Sequence, residues 1–253
     1  MPVVFVHGVP EAAAVWTPLL AELGRDDAIT LSPPGFGAPV PDGFGATSDD
    51  YLAWLTGELA GLTGPVDLIG HDWGAGHVSR LAATRPDLIR SWGADVAGIF
   101  DPDYVWHDLA RAWQTPGVGE QTVAAMFDGP PGPRAEGYVA LGMTPEAAAA
   151  CAAAGGPEMG RCILALYRSA QQPRLTGWGQ ELEAAPRRPS LVINATADPF
   201  AGGPGLAHRS AVRLGAQEAV LDGLGHWWML QDPTRGAAAV ARFLDGLGPL
   251  AGQ

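Results

Sequence analysis

With 253 residues, of which 47% are hydrophobic and 8% aromatic, the chain can build one large domain with a substantial core and is too apolar to stay disordered. Its 15 basic residues, all Arg, face 27 acidic ones, and the formal charge of −12 excludes nucleic acid and anionic membrane as partners. No apolar run reaches the roughly 18 residues of a membrane span. The start "MPVVFVHG" lacks the basic region of a signal peptide. Cys151 and Cys162 are too few for a disulfide scaffold, so a cytoplasmic protein with reduced thiols is expected.

The first strand is predicted over residues 2–6 and runs into "FVHGVPE" (5–11). A second follows at 28–31. Leu52, Leu55, Leu59 and Leu62 then recur at helical spacing behind the capping-type "TSDD". A third strand at 66–70 ends in "GHDWG" (70–74), and a helix from about Gly74 should stop near Arg85, because Pro86 follows. A fourth strand is predicted at 91–98. Residues 101–186 break the rhythm with "PGVGE", "DGPPGPR" and an Ala-rich stretch, and read as a helical insertion between the fourth and fifth strands. The core is assigned to 1–100 and 187–253. Strands at 190–195 and 217–221 complete the alternation, each leading into a further fragment, "NATADP" (194–199) and "GLGHWWMLQDP" (223–233). Apolar runs alternating with helices predict a parallel, doubly wound α/β sheet of about six strands.

A sharp strand-to-helix turn between glycines ordinarily displays a serine at its middle position, and here that position holds Asp72. A carboxylate is already anionic at neutral pH and can attack saturated carbon without a base. In chain order the candidates run Asp72, Asp198, His226, which is nucleophile, acid, histidine. Together these fragments resemble the α/β-hydrolase superfamily over nearly the whole chain, and within it the aspartate-nucleophile branch of epoxide hydrolases and haloalkane dehalogenases. The resemblance implies an alkyl ester on Asp72, then its hydrolysis by water activated by His226 with Asp198 orienting the imidazole. It also implies an oxyanion hole made of the Val9 and Trp73 backbone N–H groups. Asp95, after the fourth strand, is the rival for the acid. A structural Asp in a tight turn is the plain alternative for Asp72. His7 and His71 are expected to support turns, and His77 and His208 to be surface or packing residues.

The insertion decides what leaves. "ALYRSA" (165–170) resembles the segment bearing one of the two cap tyrosines of epoxide hydrolases, which nominates Tyr167. The second tyrosine position falls near Leu109, a departure, and leaves Trp106, His107, Trp113 or Tyr104 as the other donor. For halide, Trp73 with Trp106, Trp113 or Trp178 would serve. The preferred reading is an epoxide hydrolase acting on an apolar organic substrate with water, without cofactor or metal. A dehalogenase and a non-catalytic ligand-binding member of the fold remain the alternatives. Members of the family usually have two further strands ahead of the "HG" turn; either these are absent or the chain begins later than usual, and strand 2–6 is expected at the sheet edge, shielded by the cap, a loop or a homodimer partner.

Overall fold

The computed structural model describes residues 1–248. Val3–Val6 forms β1, and a short 3₁₀ turn leads to α1 (Thr17–Leu23) and β2 (Ala28–Leu31). α2 spans Ser48–Ala60, β3 Val66–Gly70, α3 Trp73–Thr84 and β4 Ile89–Ala94. Six helices follow with no strand between them: α4 (Asp108–Gln114), α5 (Val118–Phe127), α6 (Pro131–Ala140), α7 (Pro145–Ala154), α8 (Pro157–Ser169) and α9 (Arg174–Ala184). The chain then returns to the sheet through β5 (Ser190–Ala195), α10 (Pro204–Leu214), β6 (Gln217–Leu221), α11 (Trp228–Gln231) and α12 (Pro233–Asp245).

All strand pairings are parallel, in the order β2-β1-β3-β4-β5-β6. Every residue of β1, β3 and β5 is buried, as strands covered by helices on both faces require, whereas β2 and β6 are half-exposed. The period-two alternation splits the core. Val4, Val6 and Leu68 face α2 and α3, while Val3, Phe5 and Ile69 face the layer of Trp16, Leu19 and Phe243. α2 begins with a capping box in which Thr47 Oγ1 accepts from the Asp50 N–H at 3.3 Å and Asp50 accepts from the Thr47 N–H at 2.9 Å. Leu55 and Leu59 are its buried face.

Two expectations are overturned. The strand at 2–6 is interior: β2 crosses to its far side and pairs through Val3–Ala28 to Val6–Leu31, so the sheet edge is β2 and a strand, not a cap, loop or second copy, covers β1. The fourth strand runs over Ile89–Ala94, not 91–98. Residues Ala97–Phe100 form a 3₁₀ turn, and their apolarity comes from packing, Ala97 against Val192, Ala207 and Ala211 and Ile99 and Phe100 against the insertion, not from sheet pairing.

Candidate active site

Asp72 sits between β3 and α3 at φ 51° and ψ −124°, a positive φ that a non-glycine residue holds only when its surroundings enforce it. The neighbouring glycines allow this turn. A Cβ on Gly74 would lie 2.1 Å from the Val6 carbonyl oxygen, and one on Gly8 would lie 2.3 Å from Asp72 Cβ. Val9 N–H donates to Asp72 Oδ1 at 2.9 Å. Trp73 is the first residue of α3, so its N–H has no intrahelical acceptor.

His226 follows β6, and its Nδ1 lies 2.9 Å from Asp198 Oδ2, on the loop after β5. Its Nε2 faces Asp72 Oδ2 at 3.8 Å, too far for a direct hydrogen bond. The Phe200 N–H donates to Asp198 Oδ1 at 2.8 Å. Burial works against the Asp198 charge, but the His226 ring and these donors hold its carboxyl below the usual range. Burial alone would lower His226; Asp198 outweighs it, and the imidazole stands above its ordinary value. Burial pushes Asp72 up to about 6, against the opposing pull of His226 and the Val9 N–H. Asp95, the rival acid, does not approach His226: it accepts from the Asp72 N–H at 3.0 Å and the Trp228 indole at 2.8 Å, and pairs with His71.

Above the carboxylate lies a cavity of about 60 Å³ lined by Asp72, His226, Tyr167, Trp113, His107 and, unforeseen, Tyr138 of α6. A smaller void of about 20 Å³ beside it reaches Trp73, Tyr104 and Trp106. Burial, and then the Asp72 charge, raise the Tyr167 hydroxyl well above its ordinary value, so it stays a proton donor. Among the described residues, Tyr138 OH and the Trp106 and Trp113 indole nitrogens are buried without a hydrogen-bond partner. Burial likewise raises Tyr138. His107 Nδ1 accepts from the Ala110 N–H at 3.2 Å, which leaves the proton of its ring on Nε2, and burial lowers its pKa to about 4. Tyr104 spends its hydroxyl on the Phe200 carbonyl at 3.0 Å. Leu109 lines the cavity as an apolar wall. Trp178 lies apart on α9, beneath the Arg80 guanidinium at 4.1 Å from its ring centroid.

The remaining histidines divide. His7 links the Gly8 carbonyl and Ser32 within the turn. His77 is buried against Tyr51, and burial lowers it to about 3. His208 is exposed beside Glu218. Glu11, His71 and His226 bring ligand atoms within 4.8 Å of one another; Glu11 and His71 bond each other and His226 Nδ1 bonds Asp198. A second chamber of about 320 Å³ opens between α5 and α6 and shares Met126, Tyr138 and Leu141 with the inner cavity. No sequence motif marked Tyr138; it reaches the site because α6 packs across the insertion.

Residues 3–240 match the model of the alpha/beta hydrolase family. Epoxide hydrolase A of Mycobacterium tuberculosis is 26% identical over 97% of this chain and 90% of its own. An (E)-2-((N-methylformamido)methylene)succinate hydrolase of Acinetobacter baylyi is 32% identical over 35% of each chain, and an epoxide hydrolase of Caballeronia sordidicola 32% over 35% of this chain and 29% of its own. The match thus spans about a third of these two relatives. Haloalkane dehalogenase DbeA from Bradyrhizobium elkanii superposes with a TM-score of 0.72 at 21% identity, over 97% of this chain and 91% of that one.

Proposed function

Since the chain belongs to the alpha/beta hydrolase family, we propose that it opens an apolar organic epoxide to a diol through an alkyl ester on Asp72. The observation that carries this reading is a carboxylate at the turn with Oδ1 held by the Val9 N–H at 2.9 Å and Oδ2 3.8 Å from His226 Nε2, beneath a cavity that Tyr167 and Tyr138 help to line. Oδ2 attacks the epoxide carbon, the ring C–O bond breaks, and a tyrosine O–H protonates the departing oxygen. Oδ1 then becomes the ester carbonyl oxygen and already occupies the oxyanion position. Water attacks Cγ and gives its proton to His226 Nε2, while the Val9 and Trp73 N–H groups receive the oxyanion. His226 then protonates the departing diol oxygen, and the acid proton left on the regenerated Asp72 returns to the tyrosinate formed in the first step. The Asp72 charge is one of the groups that raise His226, so ester formation removes it and favours the neutral base when the base is needed.

The unpartnered Trp113 indole supports a second reading, halide displacement from a haloalkane by the same carboxylate. Replacing His226 with Gln separates the two. Alkylation should proceed and hydrolysis stall, so an adduct accumulates on the peptide carrying Asp72. An epoxide adds its full mass, because the ring oxygen stays attached; a haloalkane adds only its alkyl part, less one proton, and releases halide. Intact-protein and peptide mass spectrometry read the difference. An adduct on another residue overturns the role given to Asp72, and no adduct with any substrate favours a binding protein.

A further inference from the structure

A second histidine ties together the loops that carry Val9, Asp72 and His226. His71 is wholly buried, with Nδ1 against Asp95 Oδ2 and Nε2 3.0 Å from Glu11 Oε1. A neutral imidazole has one N–H and one lone pair, so one contact would set a lone pair against a carboxylate oxygen. The surrounding donors favour the proton on the ring, because all four carboxylate oxygens accept an N–H and are stabilised as anions. Glu11 Oε2 takes the Gly8 N–H at 3.0 Å and Asp95 Oδ1 the Asp72 N–H at 3.0 Å. The Trp227 indole donates to Glu11 Oε1, and the Trp228 indole to Asp95 Oδ2 at 2.8 Å. Four N–H donors aimed at these oxygens favour both groups as carboxylates, so the protons shared with the ring rest on its nitrogens.

We infer that Glu11 and Asp95 hold His71 as a permanent imidazolium and that this buried cation is a positioning group for the reaction of Asp72 and His226, a role that rests on the function proposed above. Through its two carboxylates it grips the residue before Val9, the backbone of Asp72 and the two residues after His226. It also offsets charge: Glu11, Asp95, Asp72 and Asp198 are four buried or near-buried acids in one region, and unpaired they would be costly to desolvate. Burial opposes a charge on His71, but Asp95 and Glu11 raise it well above its ordinary value, and the same interaction holds Glu11 down to about 2. The groups that face it from other elements are Glu11 and His7 beside β1, Asp95 after β4, the adjoining Asp72, and His226, whose ring centroid lies 4.6 Å away. His71 in turn pulls His226 and His7 downward. That pull opposes the rise that Asp198 gives the His226 imidazole.

Nitrogen-15 NMR of histidine-labelled protein tests the charge directly, with His71→Gln used to assign the signals. Both His71 nitrogens should remain protonated across the pH range in which the protein stays folded. Glu11→Gln removes one counter-charge, so His71 should titrate inside that range. Turnover of an aryl epoxide by this variant should fall about ten- to a hundredfold as His71 loses its proton, while its melting temperature holds over the same interval. Asp95→Asn carries the same comparison if Glu11→Gln does not fold. A neutral His71 in the unmodified protein overturns the inference, as does turnover indifferent to its titration. A chain inert towards every epoxide instead sinks the proposed function, and the spectrum still decides the charge on His71.

Discussion

The proposed reaction requires Asp72 to be both buried and ionised, and that conflict would set the lower pH bound of the reaction. Burial pushes its carboxyl up to about 6, so attack on substrate should weaken below that pH, with kcat/KM falling about tenfold per unit. The fold should outlast the activity. A carboxylate raised from 3.8 binds its proton more readily folded than unfolded, so Asp72 adds stability as pH falls from about 6 towards 3.8. Glu11 has the opposite sign: held at about 2, it stabilises fully above its ordinary 4.5 and loses this progressively as pH falls from there through about 2. Rate profiles beside circular dichroism at pH 5 check both; unfolding that coincides with the loss of rate would refute the assignment. The reach of the sequence at this scale follows from where each residue sits. Asp72, Val9, Trp73, Asp198 and His226 stand in short motifs beside strand ends, and the structure brings them together. Which acid serves which histidine was not legible locally, because Asp95 and Asp198 both follow strands. Strand order decides it: β4 beside β3 sets Asp95 at the turn, and β5 beside β6 sets Asp198 at His226. Tyr138 carried no signal, since its place depends on how α6 packs.

At the scale of elements, the local signals that proved legible were those with a stereochemical cause. The capping residues fixed the start of α2, and Pro86 bounded α3, whose last residue is Thr84. β4 was misjudged because an apolar run records burial without saying whether the burying neighbour is a strand. The turn joining β3 to α3 makes its own demand, for the helix enters so close to β1 that only hydrogen fits at Gly74. Gly74→Ala would bring Cβ to 2.1 Å from the Val6 carbonyl oxygen, a backbone atom that cannot swing aside. A loss of about 3 kcal/mol or more, or failure to fold, is expected. Gly57→Ala in the exposed middle of α2 meets nothing within 4 Å and should stabilise by about 0.5–1 kcal/mol. Denaturant melts of the two variants measure the contrast, and equal effects would mean that the close approach at the turn is relaxed in solution.

For the molecule as a whole, the sheet order determines where the fold is open. The sequence supplied six strands but not their neighbours, and pairing over tens of residues leaves no local trace. β1 follows the start of the chain yet lies between β2 and β3, with all four residues buried; β2 has one neighbour and is half-exposed. In a parallel pair, alternate amides of each strand point to opposite sides, so half of those over 28–31 face away from β1. Hydrogen exchange should therefore rank the strands. Amides over 3–6 should exchange only through global unfolding, while the outward amides of 28–31 should exchange orders of magnitude faster through local openings. Comparable, fast exchange over 3–6 would contradict the strand order. Slow exchange over 28–31 that strengthens with protein concentration would instead show a second copy pairing with that edge, because an edge covered within the chain is indifferent to concentration.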